Sequence, residues 1–417
     1  MRRRFSLKRF LKWLYPGLGI KRWVFVSAFG VLLLIIAVAQ FQVEKFFFLK
    51  IFDIIVFIFG IVILVLGLIN FFSSLLKLFL VQPQEDNLAD IMIQKIRLLR
   101  GPRIVAIGGG TGLSVLLEGL KQYTSNLTAI VTVADSGGSS GRLREQFDIL
   151  PPGDIRNCLV ALADAPNLMR QLFQFRFNNN SELKGHSFGN LFITVMTQLT
   201  GDFEKAIRES SRVLAIRGQV IPSTLNKVSL VAEYKDGSRI EGEDKIPKLH
   251  LPIERVYLKS LDSEKISATK EAIKLINSAE VIVLGPGSLY TSIIPNLLIK
   301  EITEAIVESP ALKIYVVNIM TQPGETDNYT VSDHIKALIK HSHPKVIDYC
   351  IVNKSQIPQE YLTHYQKENS FPVVIDIDEI RNLGYRVILE DLLKITEFIR
   401  HDADKLAQII LGLLEEL

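Results

Sequence analysis

Residues 103–120, RIVAIGGGTGLSVLLEGL, constrain this chain more than any other stretch. Arg103–Ile107 is a short apolar run rich in β-branched side chains, the pattern of a strand buried on both faces in a parallel sheet. Gly108, Gly109, Gly110 and Gly112 follow at once, with Thr111 among them, and then Leu113, Val115, Leu116, Leu117 and Leu120 recur at helical spacing. Strand, glycine turn and helix in that order let backbone come close to a phosphate. The helix N-terminus presents unpaired N–H groups and a positive dipole end to it. A tight turn that binds nothing is the plain alternative. The spacing is not the dinucleotide fingerprint GxGxxG, because Leu113 stands where its last glycine belongs, and no Walker lysine follows.

The 417 residues suffice for a membrane segment and one large or two ordinary domains. The net charge of +4 is local: Arg2, Arg3, Arg4, Lys8, Arg9, Lys12, Lys21 and Arg22 all precede the first apolar run. Nothing matches the basic face of a nucleic-acid-binding domain. The only cysteines, Cys158 and Cys350, lack metal-ligand spacing and point to a reducing compartment. No metal site is expected from them.

Trp23–Val43 holds no charge and reaches the roughly 20 residues that cross a bilayer. Glu44, Lys45, Lys50 and Asp53 break the pattern before a second uncharged run, Ile54–Phe72. A helical hairpin follows, with both ends on one side, and the basic N-terminus places that side in the cytoplasm. A cleaved signal peptide ending near Ala37-Val38-Ala39 is a rival for the first run, and it leaves the globular part in the cytoplasm too. The expected layout is a basic segment at 1–22, two spans within 23–80, a helical linker at 81–100 and a globular domain at 101–417.

Within that domain, 127–134 (LTAIVTVA) reads as a second buried strand ending at Asp135, with Ser136, Gly137, Gly138, Ser139, Ser140, Gly141 and Arg142 behind it. An acidic residue about 20 positions beyond the glycine turn is where a doubly wound fold holds a ribose hydroxyl; a turn cap is the bland reading. The Gly/Ser run with Arg142 and Arg144 suits a phosphate. Residues 151–157 (PPGDIRN) open a helix with Asp154 as N-cap, and 168–177 is a further helix. Residues 185–189 fit GxSxG, but the upstream stretch 178–184 is a loop and not the strand a nucleophile elbow needs. Ser187 is expected to start a ligand-binding helix. Residues 226–239 form a hairpin at Asp236-Gly237, and with 256–258 a small antiparallel insertion. Residues 280–284 run into Gly285-Pro286-Gly287-Ser288-Leu289-Tyr290-Thr291-Ser292, a second glycine turn whose Ser and Thr groups bind phosphate or merely cap a helix. Strands at 313–318, 346–352 and 373–375, helices at 332–340 and 402–414, complete a β/α alternation. The polar clusters at 108–112, 135–142, 285–292 and 318–327 all follow strands and share the carboxyl edge of an open sheet, where ligands bind.

GGGTGLS, VTVADSGGSSGRLR, PPGDIRN, GHSFGNL, GPGSLYTSIIPNLL and NIMTQPGETDNYTVSDH together resemble the YvcK gluconeogenesis-factor family of the CofD-like superfamily, over residues 103–417. The resemblance implies a Rossmann-like α/β fold, a doubly wound, mostly parallel sheet. It also implies UDP-N-acetylglucosamine as ligand and a role in cell shape and cell-wall precursor control. The superfamily's enzyme branch, 2-phospho-lactate transferase, uses magnesium and a substrate-binding aspartate that corresponds to Asp154. Family members usually carry Asp-Asp before the Gly-Gly pair, whereas this chain has Asp135-Ser136.

The expected ligand contacts are Gly108, Gly109, Gly110, Thr111, Gly112, Asp135, Gly137, Gly138, Ser139, Arg142, Asp154, Asn157, His186, Asn190, Gly285, Gly287, Ser288, Thr291 and Asn318. A membrane-tethered nucleotide-sugar-binding regulator, compatible with a homo-oligomer, is the leading expectation. A magnesium-dependent transferase using Asp135, Asp154 and Asp327 is the alternative.

Overall fold

The computed structural model describes residues 21–43, 46–79, 88–178, 182–396 and 398–415. The basic residues before Lys21, the Glu44–Lys45 break and the linker residues 81–87 lie outside that range. The chain divides into two units, Met1–Gln94 and Lys95–Leu417.

In the first unit, α1 (Lys21–Val43) and α2 (Phe47–Phe79) are two helices long and apolar enough to cross a membrane. Small residues line their seam: a Cβ on Gly30 would stand 2.7 Å from the Leu64 nitrogen, so the backbones touch. Asp53 is buried in this unit.

Helix α3 (Leu88–Leu99) leads to β1 (Ile104–Gly108), α4 (Gly110–Leu120), β2 (Leu127–Val131) and α5 (Gly138–Phe147). Then come α6 (Gly153–Leu162), α7 (Asn167–Gln174), α8 (Phe188–Thr200), α9 (Phe203–Val213) and β3 (Gln219–Pro222). Strands β4 (Val228–Tyr234), β5 (Arg239–Glu241) and β6 (Ile253–Ser260) form the antiparallel insertion, in order β5-β4-β6. Helix α10 (Lys270–Ser278) precedes β7 (Val281–Leu284), α11 (Ile294–Leu297), α12 (Lys300–Glu308) and β8 (Leu312–Val316). The chain continues through α13 (Val331–Lys340), β9 (Tyr349–Asn353), α14 (Gln359–Lys367), α15 (Ile377–Asn382) and β10 (Arg386–Glu390). It closes with the hairpin β11 (Leu393–Ile395) and β12 (Ile399–His401), then α16 (Ala403–Glu415).

The main sheet runs β10-β9-β8-β7-β1-β2-β3, every pair parallel. Its strands feed two apolar layers, as a pleat requires. Val105 and Ile107 point into one, Ile104 and Ala106 into the other. This is the Rossmann-like α/β fold expected above. From β1 the chain builds outward to β2 and β3, then returns to β7 on the opposite flank. The topological switch therefore lies between β1 and β7, where a crevice opens outside the strand ends.

Three local expectations are corrected. The second strand stops at Val131: the Thr132 N–H still bonds the Gly108 carbonyl, but Gly108 is the end of β1, so residues 133–134 have no neighbouring strand to pair with. Residues 373–375 are not a strand: Val374 makes a single bridge to Thr330 and is 63% exposed, and β10 takes the sheet edge instead. Asp154 is not an N-cap; Pro152 holds that position and Asp154 sits in the first turn of α6.

Helix α16 packs on α4 through Leu406, Ala407 and Ile410. Gly119 is the contact point, since a Cβ there would lie 2.0 Å from the Ala403 carbonyl oxygen. Gly119→Ala is expected to cost about 1–3 kcal/mol by overpacking, read as a fall of several degrees in thermal unfolding.

Candidate functional site

The loops after β1 and β7 meet across the switch. Gly110 adopts φ +65°, a left-handed conformation that favours glycine, and starts α4. Two residues on, a Cβ at Gly112 would stand 2.5 Å from the Pro286 carbonyl oxygen, so the two glycine turns are in backbone contact. Among the described residues, the first-turn amides of Thr111 and Gly112 have no acceptor, as expected at an open helix N-terminus.

Neighbouring elements hold these turns in shape. Asp154, from the first turn of α6, accepts the Gly110 N–H. Asn318, just past β8, donates to the Gly287 carbonyl at 2.8 Å and accepts the Gly287 N–H at 3.1 Å. Gln322 donates to the Ser288 hydroxyl at 2.6 Å. The Thr291 hydroxyl donates to the buried Glu325 carboxylate at 3.1 Å.

The result is a cleft of about 710 Å³, within the range of ligand sites. Of the expected contacts, Gly109, Gly110, Thr111, Gly112, Asp135, Asp154, Asn157, Gly287, Ser288, Thr291 and Asn318 line it. Gly108 ends β1 and Gly285 lies behind the second turn; neither lines the cleft. Ser139, His186 and Asn190 form a separate polar cluster, and Gly137, Gly138 and Arg142 do not line the cleft either. Ser139 contacts His186 at 3.1 Å, Asn190 donates to Ser139 at 3.1 Å, and Arg142 donates to the Lys184 carbonyl at 2.8 Å. Ser187 caps α8 and accepts from Arg156 at 2.6 Å, with no elbow strand beneath it.

Sequence reasoning missed the opposite wall. Glu243 comes from the connector between β5 and β6, Tyr365 and Glu368 from α14 and its end, and Phe398, Arg400 and His401 from the β11–β12 hairpin. No local signal marks them, because only the closing of the chain brings them to the sheet edge. Arg400 is the one arginine or lysine among the described lining residues.

Carboxylates dominate the other side. Burial, then the neighbouring Asp135 charge, pushes Asp154 up to about 7, and burial with Asp135 and Asp154 pushes Glu243 up to about 8. Burial also raises Asp135 and takes Glu325 to about 7. Ser136 donates to Asp244 at 2.9 Å, so an aspartate at 136 would set two like charges together. Asp327 accepts the Gly324 N–H in a turn outside the cleft. Among the described residues no three His, Cys, Asp or Glu side chains gather closely enough to hold a metal ion.

The raised acids make stability pH-dependent. The native state keeps protons that the unfolded chain releases near pH 4, so stability is full below that point and declines as pH rises through about 7 to 8. Buried His401, lowered to about 4, acts in the opposite sense at low pH, so the acids are read by difference: from pH 5.5 to pH 8.5 the unfolding temperature of residues 95–417 is expected to change more unfavourably in wild type than in Asp154→Asn/Glu243→Gln.

Residues 104–393 match the family described as 2-phospho-L-lactate transferase CofD. The gluconeogenesis factor of Bacillus subtilis is 49% identical over 316 residues, 76% of this chain and 99% of that protein. The chain belongs to the gluconeogenesis factor branch of the CofD-like family. A relative from Nostoc sp. is 46% identical over 97% of this chain and 92% of its own length, so that match takes in the N-terminal helices. A crystal structure of a UPF0052 family member from Bacillus halodurans superposes with a TM-score of 0.72 at 46% identity, over 75% of this chain and 99% of that one. Three quarters of this chain thus match that folded relative almost in full, so the α/β fold stands there without a counterpart of the remaining quarter.

Proposed function

We propose that the cleft binds a nucleotide sugar through its diphosphate, with UDP-N-acetylglucosamine as the ligand, and that the chain is a membrane-held regulator facing the cytoplasm. One observation carries the reading: two glycine turns touch across the topological switch, and the open amides of Thr111 and Gly112 face a cleft of about 710 Å³. Those amides would take phosphate oxygens and Arg400 would offset their charge. Asp135 would accept from a ribose or sugar hydroxyl, and Asn157 would orient the base or sugar. The likeness to the gluconeogenesis factors extends the proposal to cell shape and cell-wall precursor control. The two apolar helices supply the tether, and the basic N-terminal residues favour the cytoplasmic side.

The family description favours a second reading, a transferase of phosphorus-containing groups. Any magnesium would then arrive with the substrate phosphates, as it commonly does. Calorimetry of residues 95–417 with UDP-N-acetylglucosamine, with and without magnesium, separates the readings when paired with phosphorus NMR. Saturable binding without turnover supports the regulator, and product release supports the transferase. Absence of heat from folded protein removes the ligand assignment.

A further inference from the structure

The pair α7 and α8 carries a surface that the cleft does not use. The two helices meet around Phe173, Phe188 and Phe192, with ring centroids 5.0 to 6.1 Å apart, and the Arg176–Ser187 bridge joins their ends. On the outer side, Leu168 and Leu172 share one helical face, and Val195 and Leu199 another, by i, i+4 spacing. Leu168 is 77% exposed and Leu199 75%, and Phe175 and Leu183 are exposed beside them. Helix α8 has 13 residues and no charged side chain, although a solvent-facing helix ordinarily bears a charged face.

The cations of this stretch are left without carboxylate partners among the described residues. From Asp164 to Asp202 stand Arg170, Arg176 and Lys184 against Asp164, Glu182 and Asp202, of which Asp164 is paired with Arg217 and Asp202 caps α9. Arg170 and Arg176 donate to neutral oxygens, the Asn167 side-chain carbonyl and the Gly185 carbonyl. Among the described residues no carboxylate forms an ion pair with Arg170, Arg176 or Lys184. Exposed leucines and unpaired cations on one helix pair match the chemistry of an anionic lipid surface.

We infer that the α7–α8 face docks peripherally on an anionic bilayer. The leucines enter the boundary between headgroups and acyl chains, and Arg170, Arg176 and Lys184 meet lipid phosphates. A bilayer is the occupant that the chain itself supplies: residues 80–94 alone separate Phe79, the end of the second apolar helix, from Lys95, so a tethered unit meets lipid at high effective concentration. The inference rests on the tethering half of the proposal above and is independent of the ligand.

The test uses residues 95–417, the unit that stands alone in the Bacillus halodurans relative, and vesicles of phosphatidylcholine with or without an equal part of phosphatidylglycerol. The protein is expected to sediment with the anionic vesicles and not with pure phosphatidylcholine. Binding is expected to fall roughly ten-fold or more in Leu168→Ser/Leu199→Ser, and to weaken at about 0.5 M salt. Unchanged thermal unfolding of the double variant shows that its fold is intact, since both leucines lie on the surface. The inference is overturned if the wild-type protein stays in the supernatant or if the double variant binds equally. It is also overturned if light scattering finds a dimer that only the wild type forms and neither protein binds vesicles, because the face then belongs to a second copy. Loss of UDP-N-acetylglucosamine binding leaves it untouched.

Discussion

Gly112→Val is expected to abolish binding of UDP-N-acetylglucosamine, with an affinity loss of at least about 100-fold, or roughly 3 kcal/mol. The atoms that a Cβ would meet are backbone: the Pro286 carbonyl oxygen at 2.5 Å, its carbon at 2.8 Å and the Gly287 Cα at 3.0 Å. Backbone cannot swing aside as a side-chain tip does, so the β1 and β7 turns must part. That movement takes the Thr111 and Gly112 amides away from Gly287 and Ser288. Stability is expected to fall as well, by about 1–3 kcal/mol. Gly412→Ala is the matched control, because nothing lies within 4 Å of a Cβ at that position. Calorimetry beside thermal unfolding reads both effects. A folded Gly112→Val protein that binds within two-fold of wild type would break the link between the touching turns and the ligand.

Removing residues 1–94 is expected to leave a protein that carbonate releases completely, whereas the full-length chain resists extraction. Arg22–Phe41, at 20 residues, meets the roughly 20 that a bilayer requires and Phe48–Ser74, at 27, exceeds it, and the second contains only Lys50 and Asp53 as charged residues. Lys50 lies near the span's end, where a long side chain reaches the interface, and Asp53 is buried in the hairpin rather than turned to lipid. Full-length protein is expected to resist carbonate extraction, with its C-terminus cleaved by protease only when the cytoplasmic face is accessible. Complete extraction of the full-length chain would end the tether reading. Any residual association of residues 95–417 with membranes should be salt-sensitive, as the α7–α8 face requires.

Much of the architecture is legible in the residues. Ile104–Gly108 and Val281–Leu284 are uninterrupted apolar runs, each passing straight into glycine, so both strand-to-turn junctions can be read locally. The alternation in 228–234 and the Asp236-Gly237 pair mark the antiparallel insertion for the same reason. Edges are harder. Val373–Ile375 has strand-forming side chains, yet the edge of the sheet went to Arg386–Glu390, whose half-exposed pattern carries a weak periodic signal. Side-chain direction was not legible either: Arg142 follows a Gly/Ser run that suits phosphate, but its guanidinium reaches the Lys184 carbonyl.

Local chemistry, then, set the elements, the two glycine turns and the apolar hairpin, because backbone freedom and hydrophobic spacing act over a few neighbouring residues. The order of strands settled what those pieces became. It placed β1 beside β7, although Gly112 and Pro286 are 174 positions apart in the chain, and brought Glu243, Tyr365 and Arg400 to the same edge. Such contacts arise from packing two apolar layers against one sheet, a long-range balance of burial and chain connectivity.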